Sequence, residues 1–186
     1  MDDYFLEWDD PLLEPYYLRC IIDEQALEGK GEWEKFYEDY TYVPGVYRIT
    51  CEYPIEDRDG VKHRVIYIGE TGSRFRGGLG HRIACYISIP GKLDYRSNSS
   101  TNKRVRKTVH TEVKDKKQGQ IILECLRTEK IGTYDGKWIE AKLLSNYKKI
   151  HGSLPVDNWR DAHPSSYDVE EPCKLYHLVD DLLKDS

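Results

Sequence analysis

Two short runs rich in β-branched and aromatic residues, 45–53 and 62–68, flank the sequence Glu56-Asp57-Arg58-Asp59-Gly60. Asp-Gly between such runs is a tight-turn signal, because glycine enters the left-handed region at no steric cost. An antiparallel hairpin is expected, and the remaining elements must be arranged around it. Upstream, 18–27 and 33–40 mix apolar and acidic residues on either side of Gly29-Lys30-Gly31, which predicts one or two short helices that stop at Pro44-Gly45. Downstream, 69–80 holds five glycines in twelve residues and reads as a loop. A helix is expected over 81–89, ended by Pro90-Gly91. The polar stretch 94–118 is a long cationic insertion, or a helix preceded by one, and 120–126 returns to β-branched and apolar residues as a third strand. Gly136 opens an amphipathic helix, with Ile139, Leu143, Leu144, Tyr147 and Ile150 at helical spacing; Leu175, Leu178, Val179, Leu182 and Leu183 repeat that spacing near the C-terminus. The order predicts an α+β fold, a small and mainly antiparallel three-stranded sheet flanked by helices.

With 186 residues, including 15 Tyr, 4 Trp and 3 Phe, the chain has the length and buriable surface of one domain. No run reaches the roughly 18 apolar residues of a membrane span, and the start is acidic, so no membrane association and a cytoplasmic location are expected. Cysteines 20, 51, 85, 125 and 173 are odd in number and never closer than 31 positions, and the six His are equally dispersed. Neither a disulfide framework nor a structural zinc site follows from that spacing.

The net charge of −5 conceals a strong asymmetry. Residues 1–57 carry 4 Lys/Arg against 16 Asp/Glu, 58–117 carry 15 against 5, and 118–186 carry 9 against 12. A segment of +10 inside an acidic chain has the signature of a phosphate-tracking surface, or of a solvated charged face. Lys103, Arg104, Arg106 and Lys107 form its densest cluster, without neighbouring Asp/Glu in the segment to pair them, and are assigned to contacts with nucleic-acid phosphates.

The glycine loop fails the common nucleotide-binding patterns. Gly72 to Gly77 has the P-loop spacing, but Gly78-Leu79 stands where Lys-Ser/Thr is required. Ile83 occupies the place of the third glycine of a dinucleotide fingerprint.

A different constellation remains. Gly45-Val46-Tyr47 lies on the first hairpin strand and Tyr67-Ile68-Gly69 ends the second. Leu79-Gly80-His81-Arg82-Ile83-Ala84-Cys85-Tyr86 places a Tyr four residues after an Arg; Trp138-Ile139-Glu140-Ala141-Lys142-Leu143-Leu144 presents a Glu on the amphipathic helix; Leu154-Pro155-Val156-Asp157-Asn158 follows it. In this order the five segments resemble the GIY-YIG nuclease family, over about residues 44–160. The resemblance implies a catalytic core at 44–160 with helical additions at 1–43 and 161–186.

It further implies a metal-dependent DNA endonuclease in which Glu140 binds one Mg2+ or Mn2+ ion per active site and Arg82 holds the scissile phosphate. Tyr67 would orient or deprotonate the attacking water with help from Tyr47, Tyr86 would complete the helix motif, and Asn158 would close the site. An Arg suits the phosphate because its guanidinium offers a fixed fork of donors. Magnesium suits a water-rich oxygen site. Two departures stand out: Arg74 and Arg76 compete with Arg82 on a longer loop, with His81 a rival to Tyr86, and Glu70 places a carboxylate where repair-type relatives carry Lys. The absence of a separate binding domain favours a restriction-type enzyme with DNA as its partner, working as a homodimer if it cuts both strands. A homing or repair nuclease, a catalytically silent nucleic-acid-binding module and an interaction protein acting through its acidic ends are the alternatives.

Overall fold

A computed structural model describes residues 17–57, 59–71, 77–88, 99–115, 119–128 and 133–158, with 133–135 and 138 described in the backbone alone. The elements follow in the order β1 (Tyr17–Ile22), α1 (Glu24–Glu28), α2 (Glu32–Asp39), β2 (Gly45–Glu56), β3 (Lys62–Thr71), α3 (Leu79–Ile87), α4 (Ser100–Asp115), β4 (Ile121–Arg127) and α5 (Thr133–His151). The expected hairpin is β2–β3. Its turn is fastened by Asp57, whose Oδ1 accepts the backbone N–H groups of Asp59 at 2.9 Å and Val61 at 2.8 Å, while Gly60 takes φ +79°.

The chain builds an α+β fold on a four-stranded antiparallel sheet of order β1-β4-β2-β3. This corrects the three strands expected from sequence. The extra strand comes from the segment read as helical: Tyr17–Ile22 pairs with β4 from Tyr17↔Leu126 to Ile22↔Ile121. Asp23 is the divide, because its side chain accepts Ala26 N–H at 2.9 Å and caps a helix that Gly29 ends at φ +62°. Only five residues remain for α1, and the β-branched Ile21-Ile22 before the cap join the sheet. The N-terminal addition is thus partly sheet.

Strand alternation sorts the core into two layers. Tyr47, Ile49 and Cys51 of β2 face α1 to α4 with Trp33, Phe36, Tyr37, Leu79, Ile83 and Val105, whereas Val46 faces α5 with Ile68, Leu126, Ile139, Leu143 and Leu144. The register shifts between Ile49↔Tyr67 and Thr50↔Val65, so one extra residue of β3 is accommodated. Its effect is to bring both Ile66 and Tyr67 to the α3 layer, as bulges do when they re-aim a side chain.

Polar contacts tie the layers together. Glu124, 6% exposed, is bound by Arg48 of β2 and by the Tyr17 hydroxyl of β1, and these overcome the cost of burial to hold its carboxyl below the usual range. At the hairpin's far end His63, 1% exposed, bonds Asp57 Oδ2 and the Tyr147 hydroxyl of α5, each at 2.9 Å. The stripe expected on α5 is buried from Ile139 to Tyr147, but Ile150 is 70% exposed, because α5 runs past the sheet there. The helix expected at 81–89 runs instead over Leu79–Ile87, 69–71 extend β3 rather than opening the loop, and 100–115 of the cationic stretch is α4. The apolar pattern after residue 174 lies outside the described residues, among which no helix is long and apolar enough to cross a membrane.

Gly45 is required by space. A Cβ there would stand 2.6 Å from the Leu126 carbonyl oxygen and 2.7 Å from Leu79 Cδ1, so β4 and α3 could not both keep their places. Gly45→Ala is expected to cost about 1–3 kcal/mol, the usual range for overpacking, read as a lower urea midpoint at unchanged slope.

Candidate active site

The glycine of the second tripeptide has a steric reason too. A Cβ on Gly69 would lie 2.5 Å from the Tyr47 hydroxyl oxygen and 2.7 Å from Tyr67 Cε1. Tyr47 therefore reaches across the strand pair only because position 69 lacks a side chain. Its ring centroid lies 6.1 Å from that of Tyr67 and 5.8 Å from that of Tyr86, with Tyr67 and Tyr86 at 5.3 Å. Three of the expected residues thus form one cluster, two from the hairpin and one from α3. The Tyr47 hydroxyl is completely buried and makes no well-formed hydrogen bond among the described residues.

Arg82, one turn before Tyr86 on α3, exerts its charge on Tyr47 and Tyr67, and its Nε is buried without a hydrogen-bond partner among the described residues. A guanidinium cannot discard its proton, so an unsatisfied donor of this kind calls for an acceptor. Burial, then the neighbouring phenols, push the Tyr47 and Tyr67 hydroxyls well above the ordinary tyrosine range, and Arg82 only partly offsets this. Both remain phenols at neutral pH.

Glu140 of α5 joins the same electrostatic neighbourhood, since it acts on Tyr67 and is itself acted on by Arg82. Burial, followed by the charge of Glu70, pushes its carboxyl up to about 8. A carboxylate so disfavoured fits a cation: oxygen donors suit Mg2+ or Mn2+, and a divalent charge would relieve the penalty. Among the described residues no group of three or more His, Cys, Asp or Glu forms a ready cage.

Asn158 has a defined mechanical task. Its Oδ1 accepts Ile68 N–H at 2.9 Å and its Nδ2 donates to Ile68 O at 2.8 Å, while Asp157 N–H donates to Ile66 O at 2.9 Å. The segment imitates a neighbouring strand on both sides of Tyr67. His81 packs against Gly77, whose added Cβ would stand 2.6 Å from its side chain, and Tyr86 is the residue that joins the tyrosine cluster. Arg74 and Arg76 lie outside the described residues.

The cationic helix α4 divides in a way the sequence did not reveal. Lys103 and Lys107 are exposed, one turn apart on the outer face. Arg104 is instead paired with the buried Asp157, Nε to Oδ1 at 3.0 Å, and donates to the Asp157 carbonyl; Arg106 donates to the Cys85 carbonyl. Both guanidinium groups, expected to meet phosphate, make these contacts within the fold. The apparent lack of partners arose because Asp157 lies 53 positions away. With His110 Nε2 donating to Ile87 O at 2.7 Å, Arg106 satisfies carbonyls left open at the end of α3, the helix that carries Arg82 and Tyr86. No sequence signal marks the carbonyls that these two side chains seek.

Comparison with protein-family models, with curated proteins and with solved structures finds no match to the chain.

The raised Glu140 carboxyl makes stability depend on pH. Between 4.5, its unperturbed value, and about 8, the folded chain retains a proton that the unfolded chain has released, so stability falls as pH rises and the full cost is present above 8. Glu140→Gln removes this cost. In metal-free buffer the variant should match the wild type near pH 4 and melt several degrees higher at pH 9, each kcal/mol being worth about 2–4 °C at this chain length. A melting difference independent of pH would contradict the assignment.

Proposed function

We propose that the chain is a metal-dependent endonuclease that hydrolyses DNA phosphodiesters in the manner of the GIY-YIG nucleases, and within that class a restriction-type enzyme. The observation that carries this reading is the convergence of Tyr47, Tyr67 and Tyr86 beside Arg82, whose buried Nε lacks a partner among the described residues, with Glu140 acting on the same group. The Arg82 guanidinium would grip the scissile phosphate. Tyr67, remaining a phenol, would align the attacking water through its hydroxyl, and Tyr47 would support it through the gap over Gly69. Glu140 would hold Mg2+ or Mn2+, which when bound neutralises charge on the phosphate and on the departing oxygen. Lys103 and Lys107 would follow the DNA backbone outside the reacting centre.

Incubating the protein with supercoiled plasmid, first with magnesium and then with chelator, tests the reading. Cleavage should require the ion. Glu140→Ala should abolish it while leaving DNA affinity within a few-fold, and Tyr67→Phe should lose most turnover at an unchanged melting temperature. DNA binding without cleavage under any divalent ion would instead indicate a silent binding module.

The two kinds of cation on α4 separate experimentally. Lys103→Ala with Lys107→Ala should lower the slope of log affinity against log salt by about 2, near 0.9 for each duplex phosphate contact, with little change in melting temperature. Arg104→Ala with Arg106→Ala should mainly destabilise the fold, because it leaves Asp157 buried without its cation, a loss of about 3–5 kcal/mol.

A further inference from the structure

Glu70 pairs with Val46 across the hairpin, and both therefore point to the α5 layer, opposite to Tyr67. What they meet there is Gly136. A Cβ on Gly136 would lie 3.7 Å from Thr128 Oγ1, 3.9 Å from Glu70 Oε2 and 3.9 Å from Val46 Cγ2, so groups from β2, from β3 and from the residue just past β4 converge on one point of the α5 surface. Glu140 follows Gly136 by four residues, one helical turn along the same stripe. The two carboxylates are thus brought together across the interface between β3 and α5. A second, independent feature lies beside them: Thr128 is 1% exposed and its Oγ1 has no hydrogen-bond partner among the described residues. A buried hydroxyl oxygen left in this state wants a ligand or a bound water.

We propose that Glu70 is a second carboxylate ligand, beside Glu140, for the divalent ion, with the Thr128 hydroxyl turned into the same pocket. The inference rests on the nuclease reading for the ion's purpose and adds to it a site built from two secondary-structure elements. Two carboxylates facing each other in a poorly solvated gap repel, and a dication between them removes both the repulsion and the desolvation cost. It also resolves why a carboxylate can follow Tyr67-Ile68-Gly69 without driving phosphate away: neutralised by the ion, Glu70 belongs to the metal side of the site.

The test uses Mn2+ alone with the full-length chain, free ion being counted by electron paramagnetic resonance and the ion's effect on melting temperature read in parallel. The wild type is expected to bind and to melt higher with Mn2+. Glu70→Gln and Glu140→Gln, both isosteric, should each weaken Mn2+ binding about tenfold or more and lose the melting gain, and Glu70→Asp should recover part of it. Mn2+ affinity of Glu70→Gln within twofold of wild type would overturn the inference. So would a lower metal-free melting temperature with an undiminished Mn2+ gain, which would make Glu70 a cap on the start of α5. If Glu140→Gln alone loses the ion, this inference fails while the nuclease reading stands, and if the wild type neither binds Mn2+ nor cuts plasmid, both fail.

Discussion

Strand β3 lies at one edge of the sheet, and the candidate site depends on how that edge is held. An edge strand offers unpaired backbone groups and slips easily in register, yet this one must fix Tyr67 toward α3 and Glu70 toward α5 within four residues. The register shift at Ile49/Thr50 sets which way Tyr67 points. Asn158 and Asp157 then occupy the outer backbone groups of Ile66 and Ile68, so the strand is paired on both sides although the sheet ends there. The site consequently wraps the edge, with Arg82 and the tyrosines on one face and Glu140 on the other.

Helix α4 supports this arrangement from behind. Its inner side chains Arg106 and His110 close the end of α3, and Arg104 grips Asp157, the residue next to Asn158. One helix therefore steadies both the element that carries Arg82 and the segment that closes the β3 edge. Its outer face presents Lys103 and Lys107. Cations that look equivalent along the chain are divided by helical geometry into a structural set and an exposed set, because neighbouring residues on a helix point about 100° apart.

Electrostatics orders the roles further. Burial raises the phenols and the Glu140 carboxyl alike, so without metal these groups hold their protons at neutral pH beside the permanent charge of Arg82. On the proposed reading the guanidinium would receive an anion and the carboxylates a cation, the pairing that phosphodiester hydrolysis needs.

Local patterns in the sequence were enough for the hairpin, α2, α3 and most of α5, because turn chemistry and apolar periodicity act over a few residues. The ordered motifs likewise pointed to Tyr47, Tyr67, Arg82, Tyr86 and Glu140, and the structure brings these into one neighbourhood. The strand nature of 17–22 was hidden, since a six-residue segment of mixed character becomes a strand only when β4 is there to pair with it. The partners of Arg104 and Arg106 were hidden for a related reason: they are a distant carboxylate and a backbone carbonyl, neither visible in local composition. Glu70 stood out in the sequence as a misplaced charge. Only the packing of α5 through Gly136 gave that charge a neighbour, because facing carboxylates from a strand and a helix are a property of tertiary contact and not of spacing along the chain.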